Sequence, residues 1–151
     1  MNKTRKINEF TAVIPARSLN ESFARAVVAA FAASLDPTVE ELCDLRTAVS
    51  EAVTNSIVHA YRNEKEERKR KIWLRAESFE GGLVRITVKD RGCGIENVEQ
   101  AMRPLYSGAP EEERSGMGFS VMACFTDKLQ VKSAVGKGTT VVLSKYIGEK
   151  A

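Results

Sequence analysis

Histidine is nearly absent from this chain of 151 residues, with His59 the only one, and the three cysteines, Cys43, Cys93 and Cys124, form no C-x-x-C pair. A multi-histidine metal site within one chain is thereby excluded. A cysteine-type zinc site and a disulfide scaffold are both disfavoured. No apolar run approaches the ~18 residues that a membrane-spanning helix needs. The start, MNKTRKINEF, leads into no apolar leader segment. Charge of one sign is barely in excess: 23 Lys and Arg against 20 Asp and Glu give +3. That is too weak to argue for nucleic acid, which needs cations gathered on one face. The expectation is a soluble, cytoplasmic chain forming one domain over residues 1–151, with neither a low-complexity linker nor an internal repeat. Hydrophobic residues at 43% and charged residues at 28% sit near the globular average, which excludes wholesale disorder.

What is present falls into recognisable elements. Phe10 to Ile14 reads as a strand ended by Pro15. Ser18 and Glu21 have the S-x-x-E form of a capping box before an apolar segment, Phe23 to Leu35, that reads as a helix stopped at Asp36-Pro37. Thr38 and Glu41 form a second such box, opening a long helix to about Tyr61. The charge-mixed stretch Arg62 to Lys71 reads as a solvated loop. Ile72 to Phe79 and Leu83 to Val88 are strands joined by a hairpin at Glu80-Gly81-Gly82. A turn at Asp90 to Gly94 and an irregular segment from about Met102 to Arg114 precede a helix from Gly116 to Phe125. Two strands, Leu129 to Ser133 and Thr140 to Tyr146, close the chain around a glycine turn at 136–138. The order β-α-α-β-β-α-β-β pairs strands as neighbours. The fold class is therefore α+β, a two-layer sandwich with helices on one face of a mostly antiparallel mixed sheet.

Three clusters carry chemistry. On the long helix, Leu42, Leu45, Val49, Val53 and Ala60 fall on one side, and Glu51, Asn55 and Arg62 on the other, with His59 at the margin. Glu51 and Asn55 stand one turn apart. An amide there can hold a hydrated Mg²⁺ while the carboxylate serves as a general base; the same spacing also describes an ordinary polar helix face. In Asp90-Arg91-Gly92-Cys93-Gly94, the glycines permit a sharp turn and close approach to a planar ligand, and Asp90 could accept from an exocyclic amino group. Asp-Gly turns are common, and Cys93 reads as a small filler rather than a nucleophile. In Arg114-Ser115-Gly116-Met117-Gly118-Phe119, glycines opening a helix offer backbone N–H groups to an anion, and Arg114 adds a fork suited to phosphate. A plain helix cap at Ser115 fits that stretch as well. The preceding residues PLYSGAPEEE are long enough to be a lid. Gly138-Thr139-Thr140 supplies hydroxyls that could support Asp90 or a base, or simply starts a strand.

Taken in order, Glu51-x-x-x-Asn55-x-x-x-His59-Ala60, DRGCGI, RSGMGF and GKGTT resemble the N, G1, G2 and G3 boxes of the Bergerat-fold (GHKL) ATPases. The segments SLNESFAR, LDPTVEEL, VSEAVTNSIVHAY and ERSGMGF resemble, within that superfamily, the anti-sigma serine kinases of endospore-forming bacteria. The resemblance spans nearly the whole chain. It implies a protein that binds ATP and Mg²⁺, usually as a homodimer, sequesters the sporulation sigma factor F, and phosphorylates a serine of an anti-anti-sigma partner. Neither a membrane nor direct binding to nucleic acid is implied.

By position, the resemblance makes Glu51 the catalytic base and Asn55 the Mg²⁺ ligand. It places Asp90 on the adenine amino group, with Gly92, Gly94 and Thr140 around the base. Ser115, Gly116 and Gly118 fall at the phosphates, Arg114 at the γ-phosphate or the partner, and Arg25 at the partner surface. Two departures from the family pattern stand out. Ser107-Gly108-Ala109-Pro110 lacks the Thr and Lys expected before the proline, and the connection Asn63 to Lys71 is longer and more basic than expected, which suits a solvated loop or an acidic partner. A general-stress anti-sigma kinase with other partners, and a nucleotide-gated sigma-binding module without transfer activity, are the alternatives.

Overall fold

The computed structural model describes residues 4–103 and 118–148. Five strands, β1 (Lys6–Pro15), β2 (Lys71–Phe79), β3 (Leu83–Asp90), β4 (Lys128–Ala134) and β5 (Gly138–Tyr146), form one sheet in the order β1-β2-β3-β5-β4. All four ladders are antiparallel, where the sequence suggested a mostly antiparallel mixed sheet. Register brings Ala12, Leu74, Val88 and Val141 into one row and Phe10, Ala76, Ile86 and Leu143 into the next. Because strand side chains alternate between faces, these rows share one side of the sheet. Leu74, Ala76, Ile86 and Leu143 are fully buried there. Burying a Leu, Ile or Val side chain stabilises by roughly 1.5–3 kcal/mol, so this face drives the packing.

The helices α1 (Asn20–Ala33) and α2 (Val39–Asn55) cover that face. Ala24, Val28 and Ala32, four residues apart, are buried on α1; Leu45, Ala48, Val49, Ala52 and Val53 are buried on α2. Between β3 and β4 lie the short helices α3 (Val98–Ala101) and α4 (Gly118–Cys124), the latter burying Phe119 and Met122. The two-layer α+β architecture is the expected one. The opposite sheet face carries ions: Glu77 lies 2.8 Å from Lys6, 3.3 Å from Arg75 and 3.7 Å from Arg85.

Two local expectations are corrected. Strand β1 begins at Lys6 rather than Phe10; as an edge strand it leaves Lys6 to Glu9 exposed, so no apolar alternation marks its start. The Ser18–Glu21 capping box does not form. Helix α1 opens at Asn20 behind Leu19 with no side-chain cap, and Glu21 instead accepts from Ser50 Oγ and lies 2.6 Å from Arg25 Nε. The second box does form: Thr38 Oγ1 accepts from Glu41 N at 3.0 Å, and Glu41 Oε1 accepts from Thr38 N at 2.9 Å. Glu41 also accepts from Gly148 N at 3.2 Å, fastening the end of the described chain to the start of α2.

The long helix reaches the expected end but not as one α-helix. After Asn55 it widens into a π-helical turn, Ser56–Ala60. Such turns are rare and concentrate at functional sites. The charged connection that follows is mostly exposed, with a 3₁₀ turn at Glu67–Lys69 and an Arg17–Glu67 pair at 2.5 Å. Among the described residues, no helix is long and apolar enough to cross a membrane.

Candidate functional site

The site collects where the C-terminal end of α2, the turn after β3 and the start of β5 meet. Asp90, the last residue of β3, is only 4% exposed. Its Oδ1 accepts from Gly92 N at 3.0 Å and from Thr139 N at 3.1 Å; its Oδ2 accepts from Ser56 Oγ at 2.9 Å. Burial pushes the Asp90 carboxyl above its ordinary 3.8, because a charged group loses solvation there; the bonds from Gly92, Ser56 and Thr139 oppose that rise. A carboxylate has about four acceptor positions. Three are filled, and the one left is on Oδ2.

The glycines around Asp90 are fixed by close backbone approach. A Cβ on Gly92 would fall 2.2 Å from the Ala60 carbonyl oxygen, which itself accepts from Cys93 N at 2.7 Å. Gly94, at φ +78°, would place a Cβ 2.1 Å from Ala134 O. Gly138, at φ +113°, would place one 2.2 Å from Asp90 O. The turn is thus wedged between the π-helical turn on one side and the β4–β5 hairpin on the other. Tyr61 locks it from below: its hydroxyl accepts from Arg91 N at 2.8 Å and donates to Lys71 O at 2.5 Å, and burial raises its pKa above 10.0. Cys93 Sγ lies 3.5 Å from His59 O, in keeping with a filler role.

One turn earlier on α2, Glu51 and Asn55 are both half-buried. Gly118, the first residue of α4, faces them: a Cβ there would lie 3.3 Å from Asn55 Oδ1 and 3.6 Å from Glu51 Oε1. A side chain at 118 would crowd Asn55, so the glycine lets the start of α4 approach α2 closely. Among the described residues no group of three or more His, Cys, Asp and Glu is gathered to cage a metal. One amide oxygen from Asn55 suits Mg²⁺, which holds on to most of its waters and takes phosphate oxygens besides. The donor set therefore fits a cation that arrives with a nucleotide.

Of the residues singled out in the sequence, Asp90, Gly92 and Gly94 come together, as do Glu51, Asn55 and Gly118. Thr140 does not join them. It pairs with Lys89 and Lys132, so by strand alternation its side chain lies on the face away from Asp90. Thr139 is the neighbour of Asp90, and its Oγ1 lies 2.8 Å from Ser133 Oγ. Arg25 lies apart on α1, one-third exposed, its guanidinium set against Glu21 in an ion pair without hydrogen-bond alignment. Arg114, Ser115, Gly116 and the expected lid PLYSGAPEEE, residues 104–113, lie outside the described residues. Ser56 and Tyr61 make contacts at the candidate site that the sequence did not reveal. A helix wheel drawn at 3.6 residues per turn does not anticipate the π turn, but it does put Ser56 on the buried side with Val49, Ala52 and Val53, a polar residue that needs a partner.

Comparisons with known proteins cover most of the chain. The sequence pattern of the histidine kinase-like ATPase domain matches residues 14–145. The anti-sigma F factor of Caldanaerobacter subterraneus subsp. tengcongensis is 57% identical over 132 residues, covering 87% of this chain and 89% of the relative. That of Geobacillus stearothermophilus is 50% identical over 143 residues, covering 95% of each. Among solved structures, the RsbU and RsbW domains of a Mycobacterium tuberculosis protein superpose with a TM-score of 0.69 at 17% identity, covering 96% of this chain and 34% of that one. A chain of the SiaB–SiaC complex from Pseudomonas aeruginosa superposes with 0.66 at 12% identity, covering 93% and 90%. These two structural likenesses carry the fold alone.

Proposed function

The chain belongs to the histidine kinase-like ATPase domain family and, within it, to the anti-sigma F factors, and from that premise we propose that it is an ATP-dependent serine kinase that also sequesters a sigma factor. Its partners on this reading are the sporulation sigma factor F, which it holds inactive in the cytoplasm, and an anti-anti-sigma protein, whose serine it phosphorylates. It works as a homodimer of single-domain chains, with neither membrane nor nucleic acid as a direct partner. The observation that carries the reading is that one helical stretch reaches both the Gly118 end of α4 and the Asp90 turn. Residues 51 and 55 face Gly118, and residue 56 reaches Asp90 from the next turn.

On this reading Asp90 accepts the amino group of adenine, with the Gly92 and Gly94 turn against the ring. Asn55 holds Mg²⁺, which when bound supplies charge neutralisation at the phosphates. Arg114, Ser115, Gly116 and Gly118 belong to the phosphate end. Glu51 takes the proton from the incoming serine hydroxyl as its oxygen bonds to the γ-phosphorus and the bond from that phosphorus to the ADP oxygen breaks. Phosphoryl transfer depends on positioning and electrostatics more than on covalent help from the protein, which suits a site with one carboxylate and one amide. Arg25 contributes to the partner surface on α1.

Intact-mass analysis after incubation with Mg·ATP and the anti-anti-sigma protein of the same genome tests the reading, with Glu51→Ala as the control. The expected result is one phosphate on a partner serine, absent with the variant. Nucleotide bound without transfer would reject the kinase assignment.

A further inference from the structure

Ser56 is only 4% exposed, opens the π-helical turn, and shares its own N–H between the carbonyls of Ala52 and Val53. Its hydroxyl leaves the helix, and its one partner among the described residues is Asp90 Oδ2, at 2.9 Å. On the reading that Asp90 meets the base of a bound nucleotide, we propose that Ser56 is a positioning residue for purine selection: its hydroxyl fills one acceptor direction of Asp90 Oδ2, leaving the other for the exocyclic amino group of a 6-amino purine and against the carbonyl of a 6-oxo purine.

The geometry supports each part of that statement. Oδ1 is fully engaged by Gly92 N at 3.0 Å and Thr139 N at 3.1 Å, so Oδ2 is the oxygen presented to a ligand. An ionised carboxylate is acceptor-only and pairs with an amino group; a protonated one donates and can pair with a carbonyl oxygen. Which form dominates decides which purine is taken. No cation forms an ion pair with Asp90 among the described residues. The Arg91 guanidinium stacks 4.6 Å over the Trp73 ring, and the Tyr61 hydroxyl is committed to Arg91 N and Lys71 O. Burial works towards the protonated acid. Against it stand two backbone N–H groups that no side-chain substitution removes, and the Ser56 hydroxyl, which one can.

Calorimetric titration of ADP and of IDP, in Mg²⁺ buffer, into the wild-type chain, Ser56→Ala and Ser56→Cys tests the proposal. The wild type is expected to favour ADP. Ser56→Ala should narrow the ADP-to-IDP ratio about tenfold, the scale of one hydrogen bond to a charged group. Ser56→Cys, which keeps the shape with a poor donor, should fall between. Equal weakening of both ligands would make Ser56 merely structural and overturn the proposal, as would a ratio unchanged in either variant. Should Ser56→Ala fail to unfold cooperatively, the Ser56→Cys ratio decides alone. A wild-type chain that binds neither nucleotide overturns the nucleotide reading itself, and is told apart from the other failures because it arises before any variant is compared.

Discussion

Replacing Gly92 by alanine should damage stability and nucleotide affinity together, for a reason confined to one contact. The new Cβ would fall 2.2 Å from Ala60 O and 2.5 Å from Ala60 Cβ, about 1.2 Å inside the 3.4 Å at which ordinary contact begins. The obstacle is backbone of the π-helical turn, so it cannot swing aside as a long side chain would. Separating the two segments stretches the 2.7 Å bond from Cys93 N to Ala60 O and draws Gly92 N away from Asp90 Oδ1. Overpacking of this kind costs roughly 1–3 kcal/mol, and a lost hydrogen bond about 1 more. Urea unfolding of the ligand-free protein should accordingly show a loss of about 2–4 kcal/mol, equivalent to a melting temperature lower by roughly 5–15 °C for a chain of this size. Gly136→Ala is the matched control: φ is +77° with no atom within 4 Å, so only the left-handed strain of about 1 kcal/mol applies. ADP affinity should fall in Gly92→Ala and hold in Gly136→Ala. A Gly92→Ala loss no larger than that of Gly136→Ala would refute the close-approach reasoning.

Asn55→Ala should leave the fold intact while removing the Mg²⁺ dependence of nucleotide binding and lowering affinity about 10–100-fold, the range for a contact to a charged group; titrations with and without Mg²⁺ check it, and persistent Mg²⁺ dependence would assign the cation elsewhere. Asp90 gives a pH signature in the ligand-free protein. Its folded pKa lies above the ordinary 3.8, so its contribution to stability is fully present below that value and is lost as pH rises through the folded pKa. The stability of wild type relative to Asp90→Asn should therefore decline with rising pH across the acid range, measured by urea unfolding at stepped pH. A difference that grows instead would mean that the three hydrogen bonds outweigh burial.

The elements that could be read ahead are those governed by neighbours in the chain. Thr38 and Glu41 satisfy each other within one turn, and the apolar alternation of β2 and β3 faces a single helix layer. Where tertiary partners compete, local patterns misled. Glu21 has the spacing of a capping residue but reaches Ser50 on α2 and Arg25 on its own helix. Thr139 and Thr140 differ only in parity, and strand register, not composition, puts the first of them beside Asp90. Glu51, Asn55, Asp90, Gly92, Gly94 and Gly118 stood out through the order of their motifs, which resembles the family's; the spacing of each alone also fits an ordinary helix face or turn. Ser56 did not stand out, because a single serine on the buried side of a helix does not name its partner until the turn after β3 is placed against it.

The three donors on Asp90 come from positions 34, 2 and 49 residues away along the chain. Such a hub has no partial version: until α2, the β3 turn and the β5 hairpin have all docked, the acceptor left on Oδ2 is not defined. A ligand seated there binds the completed architecture and not its fragments, and so adds stability that grows with the logarithm of its concentration. Occupancy of this one small site would then govern how long the whole chain survives unfolding and proteolysis, which makes nucleotide supply a control on the protein's lifetime as well as its chemistry.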